Sequence, residues 1–204
     1  MRGRFITLEG IDGAGKSTHL RWIARFLKSR GIRVKVTREP GGTPAGEKLR
    51  RMVLDHRQRL HPETETLLMF AARREHLDKV ILPALGRGIW VLSDRFTDAT
   101  YAYQSGGSRV AWDKIAVLEG WTQQGLQPDL TILFDVSPAL GRQRAGRRRG
   151  PDRFEREQEA YYRRVRAAYL RRARENPRRV RLLNAGGSIA TVKRELEKIL
   201  VAVC

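Results

Sequence analysis

The run Gly10-Ile11-Asp12-Gly13-Ala14-Gly15-Lys16-Ser17 fits G-x-x-x-x-G-K-[ST], a spacing whose chemistry is the cradling of phosphate. Glycines let the backbone fold closely around phosphate oxygens, so that successive N–H groups and the positive end of a following helix face the anion together. Lys16 then reaches the β- and γ-phosphates of a nucleotide, and the Ser17 hydroxyl ligates Mg²⁺. Gly10, Asp12, Gly13, Ala14, Gly15, Lys16, Ser17 and Thr18 are therefore the candidate contacts with ATP. The loop does not say whether water, a hydroxyl or another phosphate receives the phosphoryl group. Asp94-Arg95-Phe96, directly after an apolar run, bears on that question. A carboxylate there can hold Mg²⁺ through its water shell, and the adjacent arginine can bridge two phosphoryl groups that would otherwise repel. An ordinary surface ion pair has the same spacing.

These residues need a strand before the loop and a helix after it. Residues 5–9 (FITLE) are a short apolar-rich run, and Leu20, Ile23, Ala24 and Leu27 recur at the spacing of one buried helical face. Gly31 is placed to cap that helix. Further strands are expected at 34–37, 89–93, 130–135 and 180–183, each separated from the next by a helical stretch. Short apolar strands alternating with helices predict an α/β class with a parallel sheet covered on both faces. Ligands in such sheets collect at the carboxyl ends of strands, which would bring Asp94 beside the loop. Repeats, low-complexity tails and linkers are absent from the sequence, so one domain over 1–204 is expected.

The 204 residues include 41 Lys plus Arg against 22 Asp plus Glu, a formal net charge of +19, with 41% hydrophobic residues. That supports a substantial core and excludes disordered and collagen-like classes. The one cysteine, Cys204, precludes an intrachain disulfide. No apolar run approaches the ~20 residues of a membrane span, and no signal-peptide core opens the chain. A cytoplasmic enzyme with no membrane partner is the expectation. From Arg142 to Arg181 stand 16 Arg and five acidic residues, which points to an anionic partner: a small polyphosphate or a nucleic acid, with solvated helix faces as the third explanation.

Thr37-Arg38-Glu39-Pro40-Gly41-Gly42-Thr43 and Gly46-Glu47-Lys48-Leu49-Arg50 are similar to the TREPGGT segment and the GExxR continuation of the thymidylate kinase family, and the resemblance runs from Phe5 to Glu155. Phe70 and Arg74 stand four apart, as in the family's base-binding helix. Asp94-Arg95-Phe96 leads into Ala102-Tyr103-Gln104, and Asp152-Arg153-Phe154-Glu155 closes an arginine-rich segment that resembles the lid.

The resemblance implies a P-loop nucleoside-monophosphate kinase fold, a five-stranded parallel sheet flanked by helices, assembled as a homodimer. It implies transfer from ATP to dTMP, giving ADP and dTDP, with Mg²⁺. By matching position, Phe70 stacks on thymine, Arg74, Gln104 and Thr100 read its polar edge, and Arg50 and Arg95 hold the dTMP phosphate. Glu39 and Pro40 shape that pocket, Asp12 takes the deoxyribose 3′-hydroxyl, and Tyr103 crowds the space of a ribose 2′-hydroxyl. Lys16, Asp94, Arg95 and a lid arginine from 143–153 carry the transfer. Arg148 matches the catalytic lid arginine and Arg153 the anchor of the closed lid. An aromatic at helical spacing also suits the core, so spacing alone leaves Phe70 open.

Two departures stand out. Ala99 replaces a common serine, which makes Thr100 the candidate to supply the hydroxyl, and Gly13 occupies the place where one branch carries an arginine, which turns attention to the lid. Residues 184–187 are the expected adenine site. Two rivals share the loop. A nucleoside kinase attacks with a neutral hydroxyl and wants a base, whereas Arg38, Arg50, Arg74 and Arg95 offer more positive charge than a neutral acceptor needs. A nucleic-acid-binding ATPase would use the basic segment at 155–175, but Glu155, Glu157, Glu159 and Glu175 interrupt it.

Overall fold

The computed structural model describes residues 2–55, 57, 59–146 and 153–203, with 153–158 described by backbone alone. Strands β1 (Phe5–Glu9), β2 (Val34–Arg38), β3 (Trp90–Asp94), β4 (Leu130–Asp135) and β5 (Val180–Asn184) form one sheet in the order β2-β3-β1-β4-β5. All neighbours are parallel. Every residue of central β1 is buried, as a strand covered on both faces requires. Pairing of Leu8 and of Arg38 with Asp94 levels the carboxyl ends of β1, β2 and β3. The expected strands stand, with β2 and β5 one residue longer and β3 shifted by one, so that Asp94 ends its strand.

The helices are α1 (Lys16–Ser29), α2 (Pro44–Leu54), α3 (Pro62–His76), α4 (Leu82–Gly86), α5 (Thr97–Thr100), α6 (Trp112–Gln123), α7 (Pro138–Ala145), α8 (Arg153–Glu175) and α9 (Ile189–Val201). α1 stops as expected at Gly31. Its N–H donates to Lys28 O (3.0 Å) and that of Ile32 to Leu27 O (3.1 Å), with Gly31 at φ +75°, a left-handed cap that glycine enters without strain. α3 reaches α4 through a π-helical turn at Leu77–Ile81, and α5 runs into another at Tyr101–Gly107, which carries Tyr103 and Gln104. The stretch 143–153 is not all loop: α7 extends through Ala145 and α8 begins at Arg153. Arg147, Arg148, Arg149 and Asp152 lie outside the described residues.

The largest apolar cluster gathers Ile6 and Leu8 of β1, Ile23 and Leu27 of α1, Ile132 of β4, Val165 of α8 and Leu196 of α9. Phe5, Leu77, Ile81, Val91 and Phe96 form a second. The third joins Phe70, Tyr101, Val110 and Ile115. The ends of β1 and β3 are thereby fixed from several sides.

Candidate active site

A cleft of about 890 Å³ opens at those strand ends, lined among others by residues 12–18, Glu39, Pro40, Arg50, Asp94, Arg95, Tyr103 and Gln104. Volume and lining suit a small-molecule site. The loop from Gly10 to Ser17 joins β1 to α1 and has left-handed glycines at Gly13 (φ +77°) and Gly15 (φ +93°). A Cβ at Gly13 would meet Gly141 O of α7 at 2.0 Å, so α7 sits against the loop and this backbone has no room for an arginine there. Gly10 is absent from the cleft lining; a Cβ there would strike Phe134 O at 2.4 Å. Lys16 is buried, and its Nζ donates to Gly10 O (2.9 Å) and Ile11 O (3.0 Å). Burial, followed by the facing Arg95, lowers the Lys16 pKa to about 8 against the pull of Asp94, Asp12 and Glu9. Asp94 lines the cleft with a buried Oδ1 that has no hydrogen-bond partner.

Arg95 sits at φ +72°, a conformation uncommon outside glycine. Its Nη2 donates to Asp12 Oδ1 (2.6 Å) and to the Tyr103 hydroxyl (3.0 Å), and its guanidinium carbon lies 4.6 Å from the Tyr103 ring centre. Tyr103 in turn donates to Asp12 Oδ2 (3.3 Å). Asp12, Arg95 and Tyr103 thus form one polar cluster across the cleft from β2.

At the β2 end the helical phase corrects two expectations. Phe70 is 2% exposed and belongs to the third core cluster, not to the cleft. Arg74 donates to Thr122 O (3.1 Å) and faces Asp78 at the surface. The neighbours one residue earlier, rotated by about 100°, take the inward face. Met69 lines the cleft, and Arg73 is buried with Nε on Glu39 Oε2 (2.8 Å) and Nη2 on Thr100 Oγ1 (2.9 Å). Its Nη1 has no partner. Thr100 is consequently also corrected: it is fully buried and accepts from Arg73 rather than lining the cleft. Ala99 lines it instead. Gln104 donates through Nε2 to Glu65 Oε1 (2.7 Å), and its Oε1 is buried without a partner.

Glu39 is the hub of this end. Its Oε1 meets His76 Nδ1 at 3.0 Å, and His76 Nε2 meets the Thr37 hydroxyl at 2.6 Å. Burial works to raise the Glu39 pKa, but Arg73 and His76 outweigh it and hold the carboxyl below the usual range. Arg50 donates to Pro40 O (2.8 Å), and Arg38 pairs with both oxygens of Glu47 (3.0 Å each). At the opposite end Arg144 donates to Ala185 O (2.7 Å) and Gly186 O (3.1 Å), and Ala185, Gly187, Ser188 and Ile189 join it in the lining. Met69, Arg73 and Glu65 are the residues that sequence reasoning missed, and Arg144, expected among the lid arginines, is tied instead to the carbonyls of Ala185 and Gly186. A buried Glu39 in need of a cation on the adjacent helix was the one signal that could have found Arg73.

A family model described as Thymidylate kinase matches residues 8–196. A thymidylate kinase of Nitrosospira multiformis is 62% identical over 203 residues, covering 100% of this chain and 99% of its own length. One of Nitrosomonas europaea is 60% identical over 199 residues, covering 98% and 93%. The crystal structure of thymidylate kinase from Ehrlichia chaffeensis has a TM-score of 0.80 at 34% identity, covering 98% of this chain and 99% of that one. Full-length identity of this size, on the fold just described, leaves one conclusion: the chain belongs to the thymidylate kinase family.

Proposed function

We propose that the cleft holds ATP over the loop and dTMP over the β2 and β3 ends, and that the chain transfers the γ-phosphoryl group between them to give ADP and dTDP. The observation that carries this reading is the common cleft: the loop and Lys16 at one end, Arg50 and the Met69–Gln104 pocket at the other, and Arg95 between them. Arg50 and Arg95 hold the acceptor phosphate. The unpartnered Arg73 Nη1 and Gln104 Oε1 are a donor and an acceptor left over for the polar edge of a base. Met69, a soft thioether, supplies the apolar face assigned to Phe70 by the resemblance. Asp12, half-exposed, takes the 3′-hydroxyl, and Tyr103 fills the space a 2′-hydroxyl needs. Residues 185–189 with Arg144 receive the adenine.

No general base is needed. The second pKa of a phosphate monoester is about 6, so the acceptor oxygen is already anionic at neutral pH. The obstacle is repulsion between two polyanions, which Lys16 and Arg95 offset within the cleft. Ser17 and the unpartnered Asp94 Oδ1 offer the hard oxygen ligands that suit Mg²⁺, which supplies further charge neutralisation to the phosphates. Arg148 is our candidate for the lid cation.

The whole chain is read as one kinase domain working in the cytoplasm. Among the described residues no helix is long and apolar enough to cross a membrane. A homodimer would cover the α3–α6 face, where Leu67, Val117 and Trp121 are exposed. ADP release measured with a panel of nucleosides and nucleoside monophosphates tests the acceptor. dTMP should be fastest, dUMP slower and thymidine inert; faster turnover of thymidine than of dTMP would overturn the assignment in favour of a nucleoside kinase.

A further inference from the structure

Glu9 ends β1 directly before the phosphate loop, is fully buried and does not line the cleft. A carboxylate in such a place is costly unless its oxygens are well used. Both are. Oε1 accepts from the Phe96 backbone N–H (2.7 Å), and Oε2 accepts from the Tyr169 hydroxyl (2.9 Å). The same Tyr169 oxygen accepts from Arg95 Nη1 (3.3 Å). Burial, then the charge of Asp98, pushes the Glu9 pKa up to about 8 against the pull of Arg95, the Phe96 N–H and the Tyr169 hydroxyl. With the Tyr169 proton directed at Glu9 Oε2, the phenolic lone pairs face the guanidinium. The backbone of Arg95, at its uncommon φ, is fastened at the same point. Its N–H donates to Leu8 O (3.0 Å), its carbonyl accepts from Ser93 Oγ (2.8 Å), and the following N–H is the one on Glu9.

We propose that Glu9 is a positioning residue for the reaction: through Phe96 N–H it fixes the backbone of Arg95, and through the Tyr169 hydroxyl it fixes the guanidinium. The residue that launches the phosphate loop thus also aims the arginine opposite it, so donor and acceptor phosphates are registered by one side chain. This rests on the reading of Arg95 as the acceptor-phosphate arginine. Tyr169 reaches the relay from α8, which follows the lid segment in the chain.

The test is a double-mutant cycle on kcat with ATP and dTMP. Tyr169→Phe keeps the ring and removes only the hydroxyl. It should lower kcat roughly 10- to 100-fold, the scale of a displaced group near reacting atoms, with KM for ATP nearly unchanged. The assay is run well below the melting temperature, which itself falls because Glu9 Oε2 loses its partner. In an Arg95→Ala background the same change should alter kcat less than about twofold, because the group it positions is gone. Glu9→Gln should lower kcat as Tyr169→Phe does, and the two together should lose no more than either alone. An unchanged kcat in Tyr169→Phe, or an equal fold-loss with and without Arg95, overturns the relay while leaving Arg95 in its role. Wild-type kcat in Arg95→Ala would instead remove the underlying reading, and the relay with it.

Discussion

Lys16 pays for its place in the loop with a pKa lowered to about 8 by burial and by Arg95. Phosphate oxygens around its Nζ would reverse that shift, since a nearby opposite charge favours the charged form. ATP binding near pH 8 should therefore take up protons, seen as a buffer-dependent calorimetric heat, with little Lys16 contribution at pH 6.5, where the amine is already charged. Lys16→Ala should abolish the uptake along with most of kcat; uptake that survived the substitution would move the titration to another group. A second residue-scale prediction concerns Arg73 and Arg74. Arg73→Lys keeps a cation beside Glu39 but withdraws the planar fork, and should cost roughly 10- to 100-fold in kcat/KM for dTMP. Arg74→Ala should stay within about twofold. The reverse order would restore the register implied by the resemblance. That register was the least legible part of the sequence, and the reason is physical. Leu68, Met69 and Phe70 are all apolar and Arg73 and Arg74 both cationic, so a one-residue rotation of α3 leaves the pattern unchanged. The phosphate loop was legible because its glycines have no substitutes: Gly13 is fixed both by φ and by the carbonyl of Gly141.

At the scale of elements, α7 sets its Gly141 directly against the loop, on the Asp12 carbonyl and the Ile11 side chain. A Cβ on Gly141 would meet Asp12 O and Ile11 Cδ1 at 2.8 Å each, too close for any side chain without movement of the loop. Gly141→Ala should therefore push the two apart. It should cost about 1–3 kcal/mol of stability, as overpacking does, and lower affinity for ATP because the loop N–H groups lose their aim. Urea unfolding and nucleotide titration would check the pair of effects, and full affinity in the variant would show that the loop does not depend on α7. The sheet itself was readable since its inner strands β1 and β4 are apolar runs bounded by polar residues, the pattern of strands covered on both faces, while the edge strands β2 and β5 mix polar residues in and are partly exposed. The π turns were not. One extra residue in a helical turn changes no periodicity long enough to be noticed, yet the turn at Tyr101–Gly107 is what carries Tyr103 and Gln104 to the cleft.

Over the whole molecule, the arginines between Arg142 and Arg181 whose side chains are described are largely tied into the fold rather than left as a free basic surface. Arg166 pairs with Asp135 at the end of β4 (2.7 Å), and Arg164 donates to the carbonyls of Gly106 (3.2 Å) and Gly107 (3.0 Å). Arg171 lies 3.9 Å from the Trp112 ring centre. Deepest is Asp98, 3% exposed, which accepts from Arg172 Nε (2.8 Å) and from Arg179 Nη1 (2.6 Å) and Nη2 (2.8 Å). These bonds join α5, α8 and the start of β5, so one carboxylate holds elements far apart in the chain. Burial alone would raise its pKa, but Arg179 and Arg172 outweigh that and lower it. A folded-state pKa below the unfolded value of 3.8 means that the contribution is full above that pH and is lost as pH falls through the folded value. Asp98→Asn keeps the shape and strands two buried guanidiniums, which should cost about 3–5 kcal/mol at pH 7, the price of breaking a buried pair from one side. The difference between wild type and variant should shrink as the pH is taken below about 4, where the unfolded wild-type chain takes up the proton first, and should be lost only as the pH falls through the lower folded-state value. Urea titrations at pH 7 and at pH 3 read both quantities. A gap below about 1 kcal/mol at pH 7, or one that stays constant into acid, would show that the arginines find other partners and that Asp98 is not the clasp between α8 and the sheet.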